Sequence, residues 1–384
     1  MTGDRIFNKD FTLTFSASFL FWSVTNLLIP LLPLYVLTIG GSDSDMGLIV
    51  AAYWSTAMLS RTVAGRCIAW LGPARLMRIS AGVLCVSVFA YLLAAAPSSL
   101  LIVRLAHGAA MGVYSTSAST LVGYLAPVRR RGETIGIYST ALSLSQAVGP
   151  AVGIALLSYA SFAGLFVIVW LMATIPLVLT YPVDRAGKHR PEDRRAGRFF
   201  SRGALLPAIG AVVGFAAFGP VSSYIPVYSM EKGLANPGLF FTAYAIGGIA
   251  VRAVGGRLSD TFGRTQIVIP ASALICGSML WLSVAAGAWS IVGVGVVYGT
   301  ANGLLYPALM AQAVDRSSWE ERGSAMATFL CAMELGISVG AMLASLIVAS
   351  FPLSVVWLMS AAIAAVGALI YTREWLREKA VGVA

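Results

Sequence analysis

Charge is what this chain of 384 residues has least of. Asp, Glu, Lys and Arg make up 11% of it, against 58% apolar residues. A soluble domain carries about 25% charged residues, so too little polar surface remains here to cover a water-exposed fold. The 10% aromatic content excludes a disordered chain, because such residues favour burial. Four cysteines (Cys67, Cys85, Cys276, Cys331) lie in or beside apolar runs without paired ligand spacing, and so form neither a disulfide framework nor a metal site. Two histidines and no Gly-x-x-x-x-Gly-Lys loop leave nothing for a metal pair, a nucleophile triad or ATP-driven chemistry. No enzyme and no cofactor are expected.

Long continuous apolar runs are what the chain does have. They do not alternate in polarity, which excludes a membrane β-barrel, and they are long enough for helices that cross a bilayer. Breaks in hydrophobicity predict spans near 11–36, 47–69, 76–96, 100–125, 134–158 and 162–181, then 204–229, 238–259, 266–286, 289–313, 324–349 and 353–372. The first run, Phe11 to Val36, is too long for a signal-peptide core and is expected to be a retained span. The expectation is an all-α membrane protein with twelve transmembrane helices in two pseudo-symmetric six-helix bundles. Residues 1–181 form the first bundle, 182–202 a basic linker and 203–384 the second bundle.

The net charge of +10 could suggest nucleic acid, but location decides otherwise. With the amino terminus in the cytoplasm, 22 of the 26 basic residues fall in cytoplasmic segments, and only Lys232 lies outside. Such asymmetry sets topology. Both termini are therefore expected in the cytoplasm of an inner (plasma) membrane, with no nucleic-acid partner. Arg61, Arg104 and Arg252 fall inside spans.

The two halves repeat. Arg61, Gly65 and Arg66 recur as Arg252, Gly256 and Arg257 at an offset of 191. The same offset carries Gly108 and Gly112 to Gly299 and Gly303, Arg131 and Gly132 to Arg322 and Gly323, and Gly149 to Gly340. Pro33 and Tyr35 map to Pro226 and Tyr228 at 193. Parallel repeats of this kind place a substrate site between the halves near mid-membrane.

Gly256, Arg257, Leu258, Ser259, Asp260, Thr261, Phe262, Gly263 and Arg264 form a loop motif that resembles the one between spans eight and nine of the major facilitator superfamily. Arg104, Gly108 and Gly112 resemble its span-four arginine-glycine motif, and Gly149, Pro150 and Gly153 the glycine-proline motif of its antiporters. The resemblance covers the whole chain and implies a proton-driven exporter of the twelve-span type. It also implies that spans one, four, seven and ten line the cavity, through Trp22, Asn26, Ser115, Tyr224, Tyr298, Asn302 and Tyr306. Gating would fall to Gly65, Arg66, Gly149, Pro150, Arg252, Gly256, Arg257, Asp260, Gly263 and Arg264. One departure stands out: the first loop copy carries Ala69 where the family has an aspartate that latches the cytoplasmic side.

Charges inside a bilayer need a reason. Glu334 is the only acid well inside a span, about 15 Å deep if that helix enters near Ser324. It is a candidate reversible proton carrier, or else a permanently neutral packing residue. Arg104 and His107, three apart on one face, are candidates to modulate coupling; a snorkelling arginine and a satisfied core histidine are the alternatives. Arg61 and Arg252 are expected to snorkel or to join the gate. The expected function is export of a small organic molecule in exchange for protons by alternating access, by a single copy of the chain in lipid. A proton-coupled importer of a sugar or organic acid, and a receptor without transport, remain alternatives.

Overall fold

The computed structural model describes residues 6–127, 130–183, 201–318 and 321–380; of residues 131, 132, 143, 147, 252–261, 322 and 323 it describes the backbone alone. The first half contains α1 (Lys9–Thr38), α2 (Asp43–Leu71), α3 (Pro73–Tyr91), α4 (Pro97–Leu125), α5 (Arg131–Leu157) and α6 (Phe162–Thr180). The second contains α7 (Leu205–Phe215), α8 (Phe218–Glu231), α9 (Gly238–Phe262), α10 (Arg264–Ser283), α11 (Ala288–Asp315), α12 (Arg322–Val348) and α13 (Leu353–Ala380). Since α7 and α8 together make one apolar crossing, the thirteen helices among the described residues agree with the twelve expected spans. Only helices satisfy every backbone polar group within lipid at these lengths.

Two sequence expectations change here. The span expected at 204–229 is broken, because Pro220 cannot donate to the carbonyl of Ala216 and its ring crowds that oxygen. The helix therefore stops at Phe215 and restarts at Phe218. The last helix, expected to end at 372, runs on to Ala380. Its tail is held by Arg316, whose Nη2 donates to Glu374 at 2.9 Å and to Glu378 at 2.7 Å. Thr265 donates to Glu378 as well, at 3.2 Å.

The repeat extends to packing register. A Cβ on Gly108 would fall on the carbonyl of Tyr53, and one on Gly112 on the carbonyl of Ala57, so α4 lies directly against α2. In the second half Gly299 meets the carbonyl of Tyr244 and Gly303 that of Gly248, which joins α11 to α9. Tyr244 and Gly248 stand 191 positions after Tyr53 and Ala57. Small residues permit such backbone approach where lipid supplies no hydrophobic drive between helices. Gly299→Leu is accordingly expected to force α9 and α11 apart, at a cost of about 1–3 kcal/mol or more. The thermal midpoint in detergent should fall well below that of Gly277→Leu, since Gly277 has nothing within 4 Å of its Cβ position.

The halves meet along α2 and α12 and along α5 and α9, toward the face opposite both termini. Ser44 Oγ donates to the Ser345 carbonyl at 2.9 Å, and Ser345 Oγ returns a bond to the Ser44 carbonyl at 2.8 Å. Gly47 packs on Ala341 and Ser345, Ser338 Oγ donates to the Ala51 carbonyl at 3.0 Å, and the hydroxyls of Ser55 and Ser338 lie 2.5 Å apart. Gly238 of α9 packs on Ala151 of α5. At the other end Thr62, Val63, Gly65, Arg66, Ala69 and Trp70 of α2 are exposed. The halves are bonded to each other on one face, and on the face that carries the termini the end of α2 is exposed.

Candidate transport site between the halves

At the inner end of the seal the contacts turn from hydroxyls to charge. Arg61 of α2 and Glu334 of α12 form a two-point ion pair: Nε donates to Oε2 at 3.2 Å and Nη2 donates to Oε1. Arg61 lies ten residues before the end of α2, about 15 Å deep along the helix. Glu334 lies twelve residues into α12, about 18 Å deep. The two meet at one level. The Glu334 side chain is 1% exposed and that of Arg61 11%, and among the described residues Glu334 is the only buried carboxylate.

Around the pair stand Cys331, one turn before Glu334, and Tyr306 of α11, both part-buried and both within electrostatic range of Arg61. Tyr306 packs edge-on against Phe215 at 6.2 Å and Phe329 at 5.5 Å between ring centres. The arrangement is a charged pair that straddles the two halves beside an aromatic wall.

Sequence reasoning treated Arg61 as a snorkelling or gate residue. The geometry overturns the snorkelling alternative, because its guanidinium turns inward to Glu334 and not to the membrane surface, and a contact between the halves is what the gate alternative requires. Its distance from the expected end of that span at 69, about 12 Å along the helix, was the available signal.

Arg104 and His107 form a second cluster, enclosed in the first half. His107 is fully buried, with Nε2 3.2 Å from Thr25 Oγ1 and Nδ1 2.9 Å from the Tyr91 hydroxyl. The Arg104 guanidinium lies 4.1 Å over the ring of Tyr53, and its Nε and Nη1 have no hydrogen-bond partner. Arg104 is 2% exposed, which overturns the snorkelling alternative. A desolvated cation over an aromatic face gains about 2 kcal/mol, partial compensation for the missing partners. Tyr53, Tyr91 and Thr25 carried no sequence signal of their own. Neither Arg104 nor His107 bonds to Glu334, whose hydrogen bonds go to Arg61.

The residues expected to line a chamber separate as well. Trp22 packs on Tyr138 with ring centres 5.4 Å apart, and Asn26 donates to Ser145 at 3.0 Å, so both belong to the α1–α5 contact. Ser115 donates to the carbonyl of Gly112 at 3.3 Å. Tyr298 packs on Tyr244, and Asn302 donates to the carbonyl of Tyr298 at 3.0 Å. These five are buried, and of the seven Tyr306 alone is more than marginally open. Tyr224 is a correction: its hydroxyl donates to the Asp43 carbonyl at 3.1 Å, which places it in the seal.

Of the expected gating residues, Gly149 meets Asn26 and Leu27 of α1, with Pro150 buried beside it. Gly65 and Arg66 lie at the exposed end of α2. Gly263 turns the chain at φ +91°, a conformation that favours glycine. Arg264 pairs with Asp315 at 3.1 Å. The side chains of Arg252, Arg257 and Asp260, and the surroundings of Gly256, lie outside the described residues.

Comparison with known proteins agrees with this architecture. A staphylopine export protein of Staphylococcus aureus is 23% identical over 337 residues, which are 84% of this chain and 85% of that protein. An uncharacterized MFS-type transporter of Burkholderia pseudomallei is 26% identical over 351 residues, 88% of this chain and 85% of that one. Among solved structures, nucleoside transporter NupG superposes with a TM-score of 0.76 at 14% identity, covering 96% of this chain and 99% of that one. A POT family transporter in complex with 5-aminolevulinic acid gives 0.82 at 12% identity, covering 94% of each chain. The sequence profile of the Major Facilitator Superfamily matches residues 14–251 and 235–381. With twelve crossings, repeated halves and this match, the chain belongs to the Major Facilitator Superfamily and is a membrane transporter of small molecules, not an enzyme.

Proposed function

We propose that the protein exports a small organic molecule in exchange for protons, by rocking its two halves (residues 1–181 and 203–384, joined by the linker 182–202) about the Arg61–Glu334 level. The carrying observation is that the one buried carboxylate among the described residues reaches across the interface between the halves to a cation. Protonation of Glu334 removes its charge and weakens its hold on Arg61, so one proton changes the energy of the contact that the rocking must remake. Pairs of this kind inside membranes mark proton paths. Export as the direction is supported by the staphylopine export protein among the relatives. The bias of basic residues supports cytoplasmic termini in the inner membrane, and with them the exposed end of α2 on the side from which an exporter loads. Arg104 and His107 set the polarity of the first half from behind Tyr53 and modulate coupling at a distance.

The test begins with the solute. Comparison of culture supernatants from cells with and without the gene identifies what the protein exports. In everted vesicles with an acidified lumen, that solute should then discharge the pH gradient, since solute enters as protons leave. Glu334→Gln should abolish the discharge, measured per amount of reconstituted protein. A gradient discharged equally by the variant would refute the assignment.

A further inference from the structure

We propose that the Arg61–Glu334 pair recognises a zwitterionic solute, one with an acidic and a basic group on an apolar body. This rests on the exchange reading above and adds the charge type of what is exported.

The argument is one of charge balance at a desolvated site. Arg61 and Glu334 neutralise each other through two hydrogen bonds, and each would be costly to leave alone. A cationic solute that took Glu334 would leave Arg61 without its partner, as a proton does, so both the loaded and the protonated state would carry an unpaired guanidinium. An anionic solute that took Arg61 would strand Glu334 unless a proton joined it, and solute and proton would then bind together, which is the opposite of exchange. A neutral solute could leave the pair intact, but the proton would then have no differential effect on its binding. A zwitterion excludes the proton and keeps Arg61 paired in the loaded state, so it meets both conditions at the lowest cost. Its basic group bonds Glu334, its acidic group bonds Arg61, one internal pair becomes two, and the net charge of the site does not change. Protonation of Glu334 removes the acceptor for the basic group, so proton and solute exclude each other.

The surroundings fit such a ligand. Arg61 keeps 11% exposure and Cys331 is part-buried, so the pair is not fully enclosed. Tyr306, with Phe215 and Phe329 behind it, offers an aromatic surface to an apolar body.

Cys331 supplies the readout. In a variant with Cys67, Cys85 and Cys276 replaced by serine, the rate at which N-ethylmaleimide labels Cys331 is measured on purified protein at neutral pH without a gradient. Three probes share one phenyl body: L-phenylalanine as zwitterion, 2-phenylethylamine as cation and 3-phenylpropionate as anion. Phenylalanine should protect the thiol at a concentration about tenfold lower than either singly charged probe, the ratio expected from about 1.4 kcal/mol of preference. The preference should disappear in the Arg61→Gln/Glu334→Gln double variant. A singly charged probe that protects as well, a lack of protection by all three, or a preference that survives the double variant would overturn the proposal. Because no proton gradient is present, this measures recognition alone. Intact exchange in vesicles without zwitterion preference overturns the recognition and leaves the exporter reading standing.

Discussion

Glu334→Gln should be the most destabilising single polar change in the protein, by about 3–5 kcal/mol, because it leaves a guanidinium without its counter-ion in an apolar interior. The lower end of that range applies, since Arg61 retains 11% exposure. Arg61→Gln should cost less. An unpaired carboxylate can take up a proton and become neutral, whereas a guanidinium cannot shed one. The double variant should recover most of the loss, because removing both partners strands neither. Thermal midpoints in detergent should therefore run wild type and double variant together, then Arg61→Gln, then Glu334→Gln. A double variant that melts as low as Glu334→Gln would show that Arg61 and Glu334 are not paired. The same series separates folding from coupling: the double variant is expected to be stable and still unable to exchange protons.

Locking the seal should stop transport altogether. The hydroxyls of Ser55 and Ser338 lie 2.5 Å apart across the two halves, so thiols placed there are within disulfide range. In a background with the four native cysteines replaced by serine, Ser55→Cys/Ser338→Cys should cross-link under mild oxidation. Solute flux should fall to background and return when the bond is reduced, while neither single cysteine variant responds to oxidant. Flux that continues through fully cross-linked protein would mean that α2 and α12 never part, and alternating access along this seam would be refuted.

The architecture was legible because its signals are local or periodic. Apolar runs mark crossings, and one offset, 191, carries both the glycines and the carbonyls they approach from one half to the other. Depth was legible too, so Glu334 could be singled out from its distance along a helix. Pairing was not. Arg61 and Glu334 are 273 residues apart, and nothing in the pattern around either names the other. Tyr224 was misplaced for the same reason: nothing in the pattern around it names Asp43, 181 residues earlier, as the partner of its hydroxyl. The aromatic cage of Arg104 escaped notice because Tyr53 and Tyr91 look like ordinary apolar filling until a cation lies on one ring and a histidine on the other hydroxyl.

The break between α7 and α8 also bears on how such a sequence can drift. The carbonyls of Val212 and Ala216 press against Gly336 and Gly340 of α12, the helix that carries Glu334. A substitution at Gly340 therefore needs a partner change at the break, where loss of Pro220 would supply the Ala216 carbonyl with a helical donor of its own and change how it sits against Gly340. Among descendants of this chain the proline and the glycine should be gained and lost together, a linked pair in ancestry as well as in space.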